Sequence, residues 1–148
     1  QEITAEFGGI WARPLGHEDD QVYVHESAAT TKRPKNTIIS SSKGWYDAGD
    51  YNKYIVNSSI TTYTLMAAYE HYGDYYDQLE TDIPEGTNNV PDILDEIKWN
   101  LDWMLTMQDP NDGGVYTKCT FTNFSFVKGF KVTSCQKICF FSGLNFTL

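Results

Sequence analysis

Apolar residues recur at spacings of three and four between positions 91 and 107, and this pattern predicts an amphipathic helix. The positions in the stripe are Ile93, Leu94, Ile97, Leu101, Met104 and Leu105. Pro91 suits the first turn of this helix, where its missing N–H is not needed, and Asp109-Pro110 ends it. Trp99 and Trp103 are four residues apart on the same helix, a spacing that favours side-chain packing over exposure to a ligand.

A second helix is predicted upstream, between positions 57 and 73. Asn57 or Ser58 is a good N-cap, and Gly73 matches a helix stop. Apolar and aromatic residues wrap broadly around this segment, as expected for a helix that is largely buried. They are Ile60, Tyr63, Leu65, Met66, Ala67, Tyr69 and Tyr72. A polar loop over 74–89 joins the two helices into one α-hairpin.

Residues 11–50 are irregular and rich in loop-forming residues, with short extended stretches at 22–24 and 37–39. Segments of this kind commonly carry binding and catalytic residues. The pattern as a whole predicts a mainly α chain with a loop-rich N-terminal segment.

The segment 43–54 carries the strongest chemical signal in the chain. Asp47 and Asp50 lie three residues apart on a short Ala48-Gly49 bend, where the two carboxylates could together hold one water molecule. The flanking aromatic residues, which offer flat faces of the kind that bind sugar rings, are Trp45, Tyr46 and Tyr51. An isolated Asp-x-Gly-Asp is more often a plain turn. These aromatic flanks favour instead a carboxylate that deprotonates water beside a carbohydrate.

The same segment resembles a known family signature. The run from Gly44 to Tyr54, followed by Ile55-Val56-Asn57-Ser58, resembles the GGWYDAGDxxKY signature of glycoside hydrolase family 9, the cellulase family, which also has a following helix. The resemblance extends from about Trp11 to Lys118 and includes other motifs in the family's order. They are Arg13-Pro14-Leu15-Gly16-His17, Val22-Tyr23-Val24-His25, Pro91-Asp92-Ile93-Leu94-Asp95-Glu96 and the run from Gln108 to Tyr116.

The resemblance implies a fold and a reaction. The family's catalytic domain is an (α/α)6 barrel (the six-hairpin glycosidase type) of several hundred residues, so this chain is expected to be its N-terminal part. The implied reaction is hydrolysis of β-1,4-glucosidic bonds in cellulose or related β-glucans with inversion. Asp50 maps onto the general base and Asp47 onto the residue that helps hold the water. Two carboxylates this close raise each other's proton affinity, so they titrate as a coupled pair.

The family's general acid is a Glu far along the chain, in a region that this sequence does not contain. The residues Glu26, Glu70 and Glu96 match no family motif for that role. We therefore expect the polypeptide alone to be inactive. The implied partner is a β-glucan polysaccharide or oligosaccharide. Trp45, Tyr46 and Tyr51 are candidate substrate-binding residues, and packing in the core is an equal alternative for each of them.

Composition changes abruptly near residue 118. All ten Tyr and all four Trp lie at or before Tyr116, whereas seven of the eight Phe and all three Cys lie from position 119 onward. Two interpretations remain open for 119–148, a genuine apolar continuation or read-through from an intron or another frame, and the second is favoured. The predicted division is therefore residues 1–118 as family sequence and 119–148 as a divergent tail. The odd number of cysteines leaves at least one thiol unpaired within the chain.

The formal net charge of −9 argues against nucleic acid or anionic membranes as partners. No run of about 18 apolar residues predicts a membrane span. His17, the acidic run 18–20 and His25 suggest a solvated loop more than a cation site, so neither a metal nor a cofactor is expected. The family resemblance implies an extracellular location.

Two alternatives to a catalytic segment remain. One is a non-catalytic carbohydrate-binding remnant that keeps the first part of the fold. The other is a partial gene model without activity of its own. Neither is distinguished from the enzyme interpretation by the residues present.

Overall fold

A computed structural model describes residues 3–12, 19–49 and 51–120, together with the backbone of residues 134–137. The α-helices are α1 (Ala5–Gly8), α2 (Ile55–Tyr76) and α3 (Asp92–Thr106). The strands are β1 (Val22–Val24), β2 (Ile38–Ile39), β3 (Lys53–Tyr54), β4 (Tyr116–Thr120) and β5 (Ser134–Lys137). Short 3-10 helices occupy Gly9–Trp11 and Glu26–Ala28. The two long helices and the two short extended stretches predicted from the sequence are therefore present.

The five strands form one sheet in the order β2-β1-β5-β4-β3. All neighbouring pairs are antiparallel except β1 and β5, which run parallel. In the registers, Lys53 of β3 and Cys135 of β5 both lie opposite Cys119 of β4. The sheet joins the loop-rich N-terminal segment to the strand that follows α3, an arrangement that the local sequence pattern did not predict.

The predicted start and stop of α2 were wrong by a few residues. Strand β3 runs directly into the helix, so Tyr54 is the N-cap and Asn57 and Ser58 lie inside the first turn. The φ and ψ angles leave the helical region at Tyr72 (−131°, 37°), but the helix resumes and continues past Gly73 to Tyr76. Helix α3 begins one residue later than predicted, with Pro91 as its N-cap.

The hydrophobic core lies between the sheet and α3. Its buried members are Val22, Val24, Ala28, Ile39, Trp103, Met107, Tyr116 and Cys119. Trp103 is fully buried, which confirms its predicted packing role, and Ile97 of the predicted stripe is buried as well. Leu101 and Leu105 are exposed in this chain, because α3 turns its Asn100 and Trp103 side toward the core.

Helix α2 is largely exposed in this chain, and its predicted burial, which concerns a helix inside a larger helical domain, stays a prediction. Within it only Ser58 and Thr62 are buried. The exposed large apolar and aromatic side chains on α2 are Val56, Ile60, Tyr63, Met66, Tyr72 and Tyr75. Large apolar side chains exposed in this number on one helix indicate a surface that a partner or the rest of a larger domain covers.

We expect the isolated chain to bind a hydrophobic fluorescent dye and to melt without a sharp transition. Replacing Ile60, Tyr63 and Met66 together by Ser should lower the dye signal severalfold, because these side chains are exposed on α2. The matched control replaces the exposed Thr61 and Thr64 on the same helix by Ser. A cooperative melt with no dye binding by the original chain would contradict this expectation.

Candidate active site

The segment 44–52 leaves the core at Gly44 and returns at Asn52. Gly44 has a φ of +76°, and a Cβ there would lie 2.5 Å from Cγ of Trp103. Only glycine fits this position, both because of the left-handed φ and because the buried indole lies directly against the backbone. The packing of Trp103 therefore fixes where the segment starts.

A buried ion pair fixes the place where the segment returns. The Lys53 ammonium lies 2.6 Å from Oδ2 of Asp19, with the two side chains 1% and 2% exposed. The ammonium also donates to the carbonyl oxygens of Ser41 at 2.6 Å and Lys43 at 2.8 Å. Lys53 thus ties the end of the segment to the chain just before its start. The sequence pattern placed Asp19 in a solvated loop, and the structure corrects this.

The fully buried Asn100 of α3 joins the segment to both long helices. Its Oδ1 accepts from the backbone N–H of Trp45 at 3.2 Å and from the hydroxyl of Ser58 at 3.4 Å. Its Nδ2 donates to the hydroxyl of Thr62 at 2.9 Å. A buried amide with its partners in place specifies one arrangement of these elements, because leaving any of these groups without a partner is costly. Sequence reasoning did not single out Asn100.

Of the two predicted catalytic carboxylates, the structure describes Asp47, and Asp50 lies outside the described residues. The Asp47 side chain is exposed, and its Oδ1 accepts from Nδ2 of Asn57 at 2.7 Å. Its backbone N–H donates to the carbonyl oxygen of Asn52 at 2.8 Å, and the N–H of Tyr51 donates to the carbonyl of Ala48 at 3.0 Å. These bonds close the segment into a tight turn.

The bend faces open space. Ala48 and Gly49 are exposed, and a Cβ at Gly49 would meet nothing within 4 Å. Tyr51 adopts a left-handed backbone conformation, with a φ of 58°. This conformation is rare for a bulky residue and is concentrated at functional sites. The turn therefore presents the Asp47 carboxylate on an accessible surface.

The three predicted sugar-binding aromatics are all half-buried beside this turn. The Trp45 indole N–H donates to Oε2 of Glu96 at 3.1 Å, so α3 sets the orientation of the ring. The rings of Tyr46 and Tyr51 lie 4.9 Å apart at an interplanar angle of 48°. Glu96, which matched no family motif for the general acid, is thus engaged in holding Trp45.

A charged contact on the surface also joins the site to α3. Lys43 donates to Oδ2 of Asp102 at 2.6 Å, and Lys98 donates to the same oxygen at 2.7 Å. The hydrogen bonds from Lys43 and then Lys98 hold the pKa of Asp102 below its ordinary value. Because this contact is partly exposed, its contribution to stability is small.

Among the residues that the structure describes, no group of three His, Cys, Asp or Glu side chains converges as a metal site would require. His25 caps a 3-10 helix by accepting from the backbone N–H of Ser27, and His17 lies outside the described residues. Within the same described part of the chain, no helix is both long and apolar enough to cross a membrane.

The chain belongs to glycosyl hydrolase family 9, whose family model matches residues 8–126. The match continues past Lys118, and the predicted division of the chain at that residue stays a prediction. The motif segment 13–17 is inside the match and outside the described residues.

Known relatives and structures agree with this membership. A xyloglucan-specific endo-β-1,4-glucanase of Bacteroides ovatus is 54% identical over 127 residues, which cover 85% of this chain and 22% of the relative. Endoglucanase D of Acetivibrio thermocellus is 40% identical, covering 82% of this chain and 19% of that protein. A solved family 9 structure from Bacteroides ovatus superposes with a TM-score of 0.84 at 51% identity, covering 92% of this chain and 26% of the other. This chain therefore spans about a fifth to a quarter of the length of these proteins.

Proposed function

We propose that this chain is the N-terminal part of a family 9 catalytic domain that hydrolyses β-1,4-glucosidic bonds in a β-glucan with inversion of configuration. The observation that carries the proposal is the turn at 44–52, which is tied to buried Lys53 and Asn100 and presents the Asp47 carboxylate on an open surface. Family membership supports an (α/α)6 barrel as the complete fold, to which α2 and α3 contribute one hairpin.

In the proposed mechanism Asp50 is the general base. Its carboxylate removes a proton from a water molecule, while Asp47 holds the same water through its second oxygen. The water attacks the anomeric carbon from the face opposite the leaving oxygen, and a general acid protonates that oxygen. The proposed acid is a Glu of the same catalytic domain that lies beyond residues 1–148. These residues alone hold half of the proposed catalytic pair, and we expect them to show no hydrolysis.

The proposed substrate is a β-glucan, recognised by ring stacking and hydrogen bonds. Trp45, Tyr46 and Tyr51 belong to the turn that carries Asp47 and are half-buried, and they are proposed to stack on the sugar rings. The relatives named above are a xyloglucan-specific endo-β-1,4-glucanase and an endoglucanase, and AaCel9A, a structural neighbour with a TM-score of 0.66, is solved in complex with cellobiose-like isofagomine. An extracellular location is part of the proposal.

The test is a chimaera in which residues 8–126 replace the matching segment of the Bacteroides ovatus xyloglucan-specific enzyme, which supplies the missing parts of the domain. We expect the chimaera to hydrolyse xyloglucan or a soluble β-1,4-glucan and to release a product that is initially the α-anomer, as seen by proton NMR. Release of the β-anomer would reject inversion. Calorimetric binding of cello-oligosaccharides without hydrolysis would favour the carbohydrate-binding alternative.

A further inference from the structure

The Asp47 carboxylate is held by a residue from another element. Nδ2 of Asn57 lies 2.7 Å from Oδ1 of Asp47, a hydrogen bond that spans ten positions of sequence. Asn57 is the third residue of α2, and its side chain is exposed. The amide therefore reaches from the first turn of the helix to the open bend.

The position of Asn57 is fixed by the buried contacts of its neighbours. Ser58, the next residue, and Thr62, one turn later, both bond to the side chain of Asn100. Asn100 also accepts the backbone N–H of Trp45 at the start of the turn. One buried side chain thus sets the distance between the first turn of α2 and the turn that carries Asp47.

The chemistry of an amide suits this role. Its NH2 group is a neutral donor that does not titrate, so it can bond to the carboxylate at every pH at which that group is ionised. The bond is made to Oδ1, and a carboxylate has a second oxygen that can accept further hydrogen bonds. Three charged side chains around the turn bond to other partners, since Lys43 pairs with Asp102, Lys53 pairs with Asp19 and Glu96 bonds to Trp45. Lys118 of β4 lies over the Tyr54 ring, with its ammonium 5.8 Å from the ring centroid.

We propose that Asn57 is a positioning residue for hydrolysis, which orients the Asp47 carboxylate so that its second oxygen can hold the hydrolytic water. This inference rests on the proposed function. Helix capping does not explain the bond from Asn57 to Asp47, because Tyr54 is the N-cap of α2. Core packing does not explain it either, because Asn57 is exposed.

The test is Asn57→Asp in the chimaera, expressed in a bacterial host. The change keeps the shape of the side chain but replaces a donor by a second carboxylate beside Asp47. We expect kcat to fall by roughly ten- to a hundredfold, as expected for the loss of a hydrogen bond to a charged group. The acidic limb of the pH–rate profile should move to higher pH, because a like charge disfavours ionisation. KM should change less than about twofold, since Asn57 does not contact the substrate.

Asn57→Ala provides a second variant, and we expect it to give a smaller loss of kcat with a shift of the acidic limb in the same direction. The control is Ser59→Ala. The Ser59 hydroxyl donates to the carbonyl of Ile55 within α2, so its loss should leave kcat and the pH–rate profile unchanged. Like the Asn57 variants, Ser59→Ala removes the Asn57-Ser58-Ser59 sequence signal for N-glycosylation. If both Asn57 variants fold and keep the original kcat and pH profile while Asp50→Asn is inactive, the positioning role is overturned and the proposed function stands. If Asp50→Asn is active, the proposed function and this inference both fail.

Discussion

Replacing Asp50 by Asn in the chimaera should lower kcat by about two to four orders of magnitude, the range that a general base contributes to catalysis. Asn has nearly the same shape as Asp but cannot accept a proton from water at any working pH. The loss should appear in kcat, with KM changed little, because the base acts on the water and not on substrate binding. Initial rates on xyloglucan over a range of concentrations separate the two parameters.

The matched control is Asp82→Asn, which makes the same chemical change at an exposed position in the loop between α2 and α3. It should leave kcat within about twofold of the original, since surface substitutions away from a site have small effects. Equal hydrolysis by the Asp50 variant and the Asp82 variant would remove Asp50 from the mechanism.

Replacing Lys53 by Met should destabilise the folded domain by about 3–5 kcal/mol, because it leaves the buried Asp19 carboxylate without its ion-pair partner. The side chains of Lys53 and Asp19 are only 1% and 2% exposed. The same change frees the carbonyl groups of Ser41 and Lys43, so the turn loses its anchor. The urea midpoint of the chimaera should fall, and kcat should fall with it.

Two comparisons separate the buried pair from a general effect of losing a lysine. Lys35→Met removes the partner of Glu26 in an exposed pair and should cost at most about 1 kcal/mol. The double variant Asp19→Asn with Lys53→Met removes both charges and should recover part of the lost stability, because no unpaired charge then remains buried. A urea midpoint for Lys53→Met equal to that of Lys35→Met would contradict the anchoring role.

The sequence was informative where the signal is local. Spacings of three and four located α3, and the family signature located the turn that carries Asp47. Lys53 and Asn100 were missed because their partners are remote, with 55 positions between Trp45 and Asn100 and 34 between Asp19 and Lys53. Neither periodicity nor composition reports contacts of that range. Gly44 was quoted within the signature, but its contact with Trp103 depends on packing that a motif does not describe.

The mistaken predictions have physical reasons as well. Asn is a residue type that N-caps favour, but the N-cap of α2 is Tyr54, the last residue of β3, which has an extended backbone. The Asn57 side chain bonds to Asp47 instead. Leu101 and Leu105 fit the periodic stripe of α3 but are exposed, because the helix turns the side with Asn100 and Trp103 toward the core and Asn100 bonds there to Trp45. In both places a long-range polar contact prevailed over a local preference.

The most direct test of the central claim is a crystal structure of the chimaera carrying Asp50→Asn, with a cello-oligosaccharide bound across the open bend. The account predicts a water molecule held between the side chains at positions 47 and 50, on the face of the anomeric carbon opposite the leaving oxygen. It also predicts an aromatic ring from 45, 46 or 51 stacked on a sugar. A side chain at position 50 that points into the protein interior, away from the sugar, would contradict the account.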